Sequence, residues 1–357
     1  MNIGLFIHPF DPDKPGGLGR SNFALAEALL EESSQHSYTV YVKGDSRPIP
    51  FDSYPNVEVV FMGNGPLWLT GARKLDRTLD AYVFFMPIIP LGFTPKKSIV
   101  IALDFAFLEI PPRTSKERLS SWFLYVLQAR ALRQATKVLT ISEATRQSAL
   151  KYFTLAPSKV ETMHIGYMAL SSEMKPILVP KKFFLFAGVL KERKNVANII
   201  RAFALFSIQH PGTSLVITGR PEGPYYDSLV LLAHELGVVD AVRFVGYVSN
   251  GELAYLYSHA EALVFPSLLE GFGMPVLEAM HAGLPVITSN TGALAEVADD
   301  AALLVNPHSP SDIAQALVTL SHDELLRESL RVRGYARAAQ FSWKKAAHRL
   351  LACMDAI

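Results

Sequence analysis

Long apolar runs are missing from this 357-residue sequence. A bilayer-spanning helix needs about 20 consecutive apolar residues, and the longest candidate, 82–93, is broken by Pro87 and Pro90. Cysteine is nearly absent. Cys353 stands alone, which excludes an internal disulfide and a thiolate metal cluster and fits a reducing compartment. Charge of one sign is also lacking: 34 Lys and Arg against 33 Asp and Glu leave a formal net charge of +1. A nucleic-acid partner usually demands a pronounced basic face, so none is expected. The first residues, Asn2 to Ile7, carry neither the basic start nor the small-residue cleavage site of a secretory signal. The expectation is a cytoplasmic protein, at most peripheral at the inner face of a membrane.

What is present is material for two cores. Hydrophobic residues make up 50% of the chain and charged residues 19%, a globular composition at a length that suits two domains. Short β-branched and aromatic runs alternate with helical patterns nearly throughout. Strands are predicted near 2–7, 39–42, 57–61, 82–85, 98–103, 137–141 and 160–163, with helices over 21–32, 117–134 and 143–152. The alternation stops at 166–182, which lacks periodicity and holds Pro176, Pro180 and a Ser-Ser pair; this reads as a linker. It then restarts, with strands at 183–187, 214–218, 242–245, 262–265, 285–288 and 302–305. Helices are predicted at 196–209, 226–236, 251–259, 274–282, 309–320, 323–339 and 343–354. No repeat of 20–50 residues is visible, which sets a solenoid aside. Near-continuous apolar strands between amphipathic helices predict parallel sheets covered on both faces, in the α/β class. The expected domains are 1–168, with the helix of 341–357 returning to it, then a linker at 169–182, then 183–340. In such doubly wound sheets ligands sit beyond the carboxyl ends of the strands, so two facing domains would hold one ligand between them.

Three stretches carry candidate chemistry. Pro15-Gly16-Gly17-Leu18-Gly19-Arg20 lies between the first strand and the helix predicted from Ser21. Glycines there let the backbone approach a ligand, and a helix start offers N–H groups to an anion; a flexible strand-to-helix turn explains them equally well. Lys191-Glu192-Arg193-Lys194-Asn195 follows the first strand of the second half. Two adjacent cations at a strand's carboxyl end, just ahead of a helix, suit a diphosphate, while a solvated charged turn is the alternative. The third stretch runs from Ser267 to Ala279, SLLEGFGMPVLEA. Pro275 suits the first turn of a helix, and the N–H groups of Gly271 and Gly273 would then face a polar or anionic ligand. Glu270 stands in the loop and Glu278 about one turn inside the helix, so the two carboxylates can reach different hydroxyls of one extended ligand. A helix-start charge and an exposed helical face explain each glutamate singly, but not the pair together with two glycines and a proline.

This last block, with RFVGYVSNGELAYLY before it and GLPVITSNTGALAEVADDAALLVNP after it, strongly resembles glycosyltransferase family 4, retaining enzymes of the GT-B fold. FAGVLKERKN, LTISEATRQ and GGLGRS extend the likeness over almost the whole chain. The resemblance implies two Rossmann-like domains facing across a cleft and a hexosyltransferase that uses a nucleotide-diphosphate sugar without a cofactor or metal. It implies that Glu270 lies against the donor sugar and Glu278 against the ribose. Arg193 and Lys194 would hold the diphosphate, with the N–H groups of Gly271, Phe272 and Gly273 completing the cradle. Gly17 would let the first domain close onto the diphosphate or the sugar. Tyr247 and Val248 match a segment that packs by the base, or they are ordinary loop packing. Asp104 matches the aspartate of a His-Asp segment, as a contact to acceptor or sugar or as a turn cap; Leu103 stands where the histidine is expected.

Bacterial mannosyltransferases of surface polysaccharide synthesis look most similar, which points to GDP-mannose first and UDP-sugars next. The acceptor would be a glycan or a lipid-linked saccharide. A basic, aromatic-bearing stretch over 113–133, from Arg113 through Lys116, Arg118, Trp122, Tyr125 and Arg130 to Arg133, fits an anionic membrane surface or a helix packed on its own sheet. Two rivals stay open: a catalytically idle sugar-nucleotide-binding subunit, suggested by Leu103, and a same-fold epimerase or phosphorylase.

Overall fold

The computed structural model describes all residues except 9–16, 45–48, 113 and 169, and the side chains of 17, 18 and 67. The chain forms two compact units, Met1–Gly166 with Phe341–Ile357, and Tyr167–Gln340.

In the first unit the order is β1 (Asn2–Ile7), α1 (Gly17–Glu32), β2 (Ser37–Val42), β3 (Val57–Phe61), α2 (Leu67–Thr70), β4 (Ala81–Phe84), β5 (Ser98–Ala102), α3 (Ala106–Glu109), α4 (Ser115–Gln134), β6 (Lys137–Thr140), α5 (Glu143–Phe153) and β7 (Val160–Thr162). The second unit follows with β8 (Phe183–Phe186), α6 (Val196–Ser207), β9 (Ser214–Thr218), α7 (Pro224–Glu235), β10 (Val242–Gly246), α8 (Asn250–His259), β11 (Leu263–Phe265), α9 (Met274–His281), β12 (Val286–Ser289), α10 (Gly292–Ala298), β13 (Leu303–Val305), α11 (Pro310–His322) and α12 (Glu324–Ala338). The last helix, α13 (Trp343–Asp355), belongs to the first unit, where it packs on α1. Lys344 and His348 reach Glu32 of α1 from it, at 2.8 and 2.6 Å.

Each unit holds one sheet, ordered β3-β2-β1-β4-β5-β6-β7 and β10-β9-β8-β11-β12-β13. Strand pairing is parallel in both, as the alternation of strand and helix predicted. The strand order reverses between β1 and β4 in one sheet and between β8 and β11 in the other. These are the switch points at which doubly wound sheets open a crevice beyond their carboxyl ends.

Burial explains why these runs are strands. Residues Phe183–Phe186 are buried at every position, as are those of β4, β5, β9, β11 and β12. Helices on both faces leave such strands no polar side, and each large side chain so buried contributes roughly 1.5–3 kcal/mol. Local signals set the helix starts. Thr114 and Glu117 form a capping box for α4, as Ser249 and Glu252 do for α8. Ser142 caps α5, and prolines open α7, α9 and α11.

Four sequence expectations need correction. Helix α1 begins at Gly17 rather than Ser21, so Gly17 and Gly19 lie in its first turn, while Pro15 and Gly16 fall outside the described residues. Tertiary context there overrides the weak helix propensity of glycine. Helices α2, α3 and α10 were not anticipated, because four to seven residues are too few to show a helical period.

Candidate functional site

The second sheet's switch point lies between β8 and β11, and the two loops that leave it carry the predicted charged residues. The loop after β8 winds into one 3₁₀ turn, Glu192–Lys194. Asn195 follows with φ 63°. Asparagine tolerates this left-handed conformation better than most side chains, and it turns the chain into α6. The Asn195 amide donates to the carbonyls of Pro266 (2.9 Å) and Pro307 (2.6 Å), tying its turn to the loops after β11 and β13.

On that turn, Arg193 Nη1 donates to Glu270 Oε2 and to the Leu269 carbonyl, both at 3.0 Å. Lys194 Nζ donates to Glu270 Oε1 at 2.5 Å and lies 4.8 Å from the centre of the Phe265 ring. The backbone closes the arrangement, Leu268 N donating to the Arg193 carbonyl at 2.8 Å. The Glu270 and Lys194 side chains are only 9% and 10% exposed, and Arg193 is 24% exposed. Charges this withdrawn from water attract one another through a dielectric far below that of bulk solvent. Within this trio two cations face one carboxylate at the mouth of the sheet.

The loop after β11 ends at Gly273, which caps α9 with φ 125°. A Cβ there would meet Leu294 Cδ2 at 2.7 Å, so both conformation and space demand glycine. Gly271 and Phe272 are buried beside it, and Pro275 sits in the first turn as its fixed φ favours. Glu278, one turn further in, accepts a hydrogen bond from the Tyr257 hydroxyl of α8 at 3.3 Å. Tyr257 is 1% exposed. Burial pushes its phenol well above the ordinary range, helped by the charge of Glu278 and the bond to it, so the hydroxyl stays protonated and donates. Tyr257 and Asn195 lay inside quoted motifs without being singled out. An aromatic with a hydroxyl on an otherwise apolar helical face is the signal that could have found Tyr257.

The remaining predicted residues stand elsewhere. Tyr247 is 61% exposed in the turn after β10, and Val248 next to it is half-buried. Gly17 is the first residue of α1 in the first unit. Asp104, after β5, accepts from Ala106 N at 3.1 Å and thus caps α3, the structural alternative considered for it. Leu103 contributes a carbonyl that receives the Thr145 hydroxyl at 3.5 Å. Among the described residues no group of three or more His, Cys, Asp or Glu could hold a metal ion. Among the same residues no helix is long and apolar enough to cross a membrane. On α4, Leu119, Trp122, Phe123 and Val126 are 67%, 60%, 39% and 42% exposed. Arg113 lies outside the described residues.

Known proteins share this architecture. The family model for glycosyl transferases group 1 matches residues 171–337. The O-antigen chain mannosyltransferase B of Escherichia coli is 28% identical over 305 residues, 80% of this chain and 79% of that protein. The serotype-specific mannosyltransferase WbdA of Escherichia coli is 24% identical over 403 residues, covering 98% of this chain but 47% of WbdA, so the chain spans about half of that relative. Among solved structures, HepE of Anabaena in complex with UDP-glucose superposes with a TM-score of 0.76 at 18% identity, over 100% of both chains. A parallel sheet with two cations and a carboxylate at its switch point thus lies in a chain of the GT-B fold that is similar to mannosyltransferases over most of its length and whose residues 171–337 match the family model for glycosyl transferases group 1.

Proposed function

We propose that this chain is a retaining hexosyltransferase that moves mannose from GDP-mannose to a glycan or a lipid-linked saccharide. The observation that carries the reading is the cluster of Arg193, Lys194 and Glu270 at the β8–β11 switch point. Mannosyltransferase names among the relatives support the sugar. The UDP-glucose bound to HepE keeps a UDP-sugar as the second candidate donor.

In this reading Arg193 and Lys194 take the diphosphate, whose negative charge grows as the glycosidic bond lengthens, and the N–H groups of Gly271, Phe272 and Gly273 complete the cradle. Cations already fixed in place stabilise that charge without reorganising during the reaction. Glu270 turns to the sugar hydroxyls and Glu278 to the ribose, while Tyr247 and Val248 border the base. The acceptor attacks the face that the diphosphate leaves, and a phosphate oxygen takes the acceptor proton, so no separate base is required. Gly17 and Asp104 of the first unit are assigned to the diphosphate or sugar and to the acceptor.

Two exposed cations, Lys116 and Arg118, flank the exposed apolar stripe of α4. Such a face suits the interface of an anionic bilayer, and we assign it to peripheral contact where a lipid-linked acceptor would be presented.

A thermal-shift screen against GDP-mannose, UDP-glucose and an ADP-sugar, followed by release of free nucleotide from the best binder, tests the donor. GDP-mannose should raise the melting temperature most and be turned over. A larger shift with another donor overturns the base assignment, and binding without turnover overturns the transferase reading. Tyr257→Phe removes the hydroxyl that holds Glu278. Losing a hydrogen bond to a carboxylate should raise the donor KM about 10–100-fold and leave kcat within about 2-fold. An unchanged KM would remove Glu278 from the donor site.

A further inference from the structure

We infer that Glu270 is also a resident counter-ion that competes with the diphosphate for Arg193 and Lys194, and so drives release of the spent nucleotide. This inference rests on the assignment of those two cations to the diphosphate. Its basis is geometric. Each carboxylate oxygen of Glu270 accepts from a different cation, Oε2 from Arg193 at 3.0 Å and Oε1 from Lys194 at 2.5 Å. Both cations are therefore engaged by one anion in the place where a second anion must arrive. A carboxylate with 9% exposure cannot be screened by water as a surface group is.

Two consequences follow from charge alone. An incoming donor exchanges one set of charge-assisted bonds for another, so part of the attraction of a dipositive pair is spent on displacing Glu270. Sugar hydroxyls offer the displaced carboxylate new donors while the donor is whole. Once the sugar has been transferred those hydroxyls leave with it, and Glu270 turns back to Arg193 and Lys194. The nucleoside diphosphate is then opposed by a neighbouring negative charge that the intact sugar nucleotide had satisfied. Glu270 thereby discriminates between donor and product at the same cations, a role distinct from touching the sugar.

The sign of this effect differs from that of a binding residue. Glu270→Gln keeps the shape and removes the charge, so GDP and UDP should each bind more tightly than to the native protein. For the better of the two, titration calorimetry should read about a tenfold or greater decrease in Kd. Glu270→Asp keeps the charge and should stay within about threefold of the native Kd. If Glu270→Gln does not fold, Glu270→Ser makes the same charge change. Arg193→Ala, measured beside them, should weaken both nucleotides. Unchanged or weaker binding by Glu270→Gln, with Arg193→Ala still weakening it, overturns the counter-ion role and leaves the diphosphate assignment standing. If Arg193→Ala and Lys194→Ala both leave the Kd unchanged, the diphosphate assignment falls and the inference falls with it.

Discussion

Glu270→Ala is expected to lower turnover of the sugar-nucleotide donor by at least about 10²–10³-fold, the cost of removing one preorganised polar group that faces a reacting centre. The geometry makes the loss twofold. In the proposed reading the sugar loses its carboxylate partner, and Lys194, 10% exposed over the Phe265 ring, loses its ion pair with Glu270. Loss of turnover combined with tighter binding of free nucleotide would be the signature of a residue that is both sugar contact and counter-ion. Nucleotide release from labelled donor measures the first effect, and a rate within a few-fold of the native protein would sink the assignment of Glu270 to the site. Circular dichroism and thermal unfolding of the same preparation separate a lost contact from a lost fold.

Removing Arg193 and Lys194 together should have the largest effect on kcat/KM. Charge-assisted hydrogen bonds contribute about 1.5–3 kcal/mol each, so two of them correspond to roughly 10²–10⁴-fold. The double alanine variant also leaves the Glu270 carboxylate without its cations and the Leu269 carbonyl without its Arg193 donor. Arg193→Lys is therefore the sharper companion. It keeps the charge but loses the planar fork, which no ammonium reproduces. An intermediate loss for Arg193→Lys and a full loss for the double variant support the diphosphate role. A double variant within about threefold of native kcat/KM would end it.

The strands were legible in the sequence because a parallel strand buried on both faces is written as an apolar run. Phe183–Phe186 and Ile99–Ala102 admit no polar alternation. Long helices were legible from their period, as over 117–134, while the Thr114 and Glu117 capping box that starts α4 two residues earlier was not read. Short helices escaped: the four residues of α3 depend on the Asp104 cap and the turn after β5, not on a repeating pattern. The start of α1 escaped because two glycines near a turn read as loop until the rest of the fold holds them in a helix.

Legibility of the site divides the same way. The residue types were visible in the sequence: a proline two positions past a glycine at a helix start, two glutamates a fixed distance apart, two adjacent cations after a strand. Their meeting was not. Arg193 and Glu270 are 77 positions apart, and what joins them is the strand order of the second sheet, which sets β8 beside β11 and so brings their two loops together. Asn195 reaches the Pro266 and Pro307 carbonyls across 71 and 112 positions, and Tyr257 reaches Glu278 across 21.

The amino-acid order alone determined the α/β class, the parallel strands and the chemistry on offer, because hydrophobic period and residue type are local properties of a chain. Which cation faces which carboxylate, and which hydroxyl holds Glu278, were decided by the tertiary structure. Those pairings depend on sheet order and loop approach, and electrostatic attraction between two side chains falls too steeply with distance to be read from their spacing along the sequence.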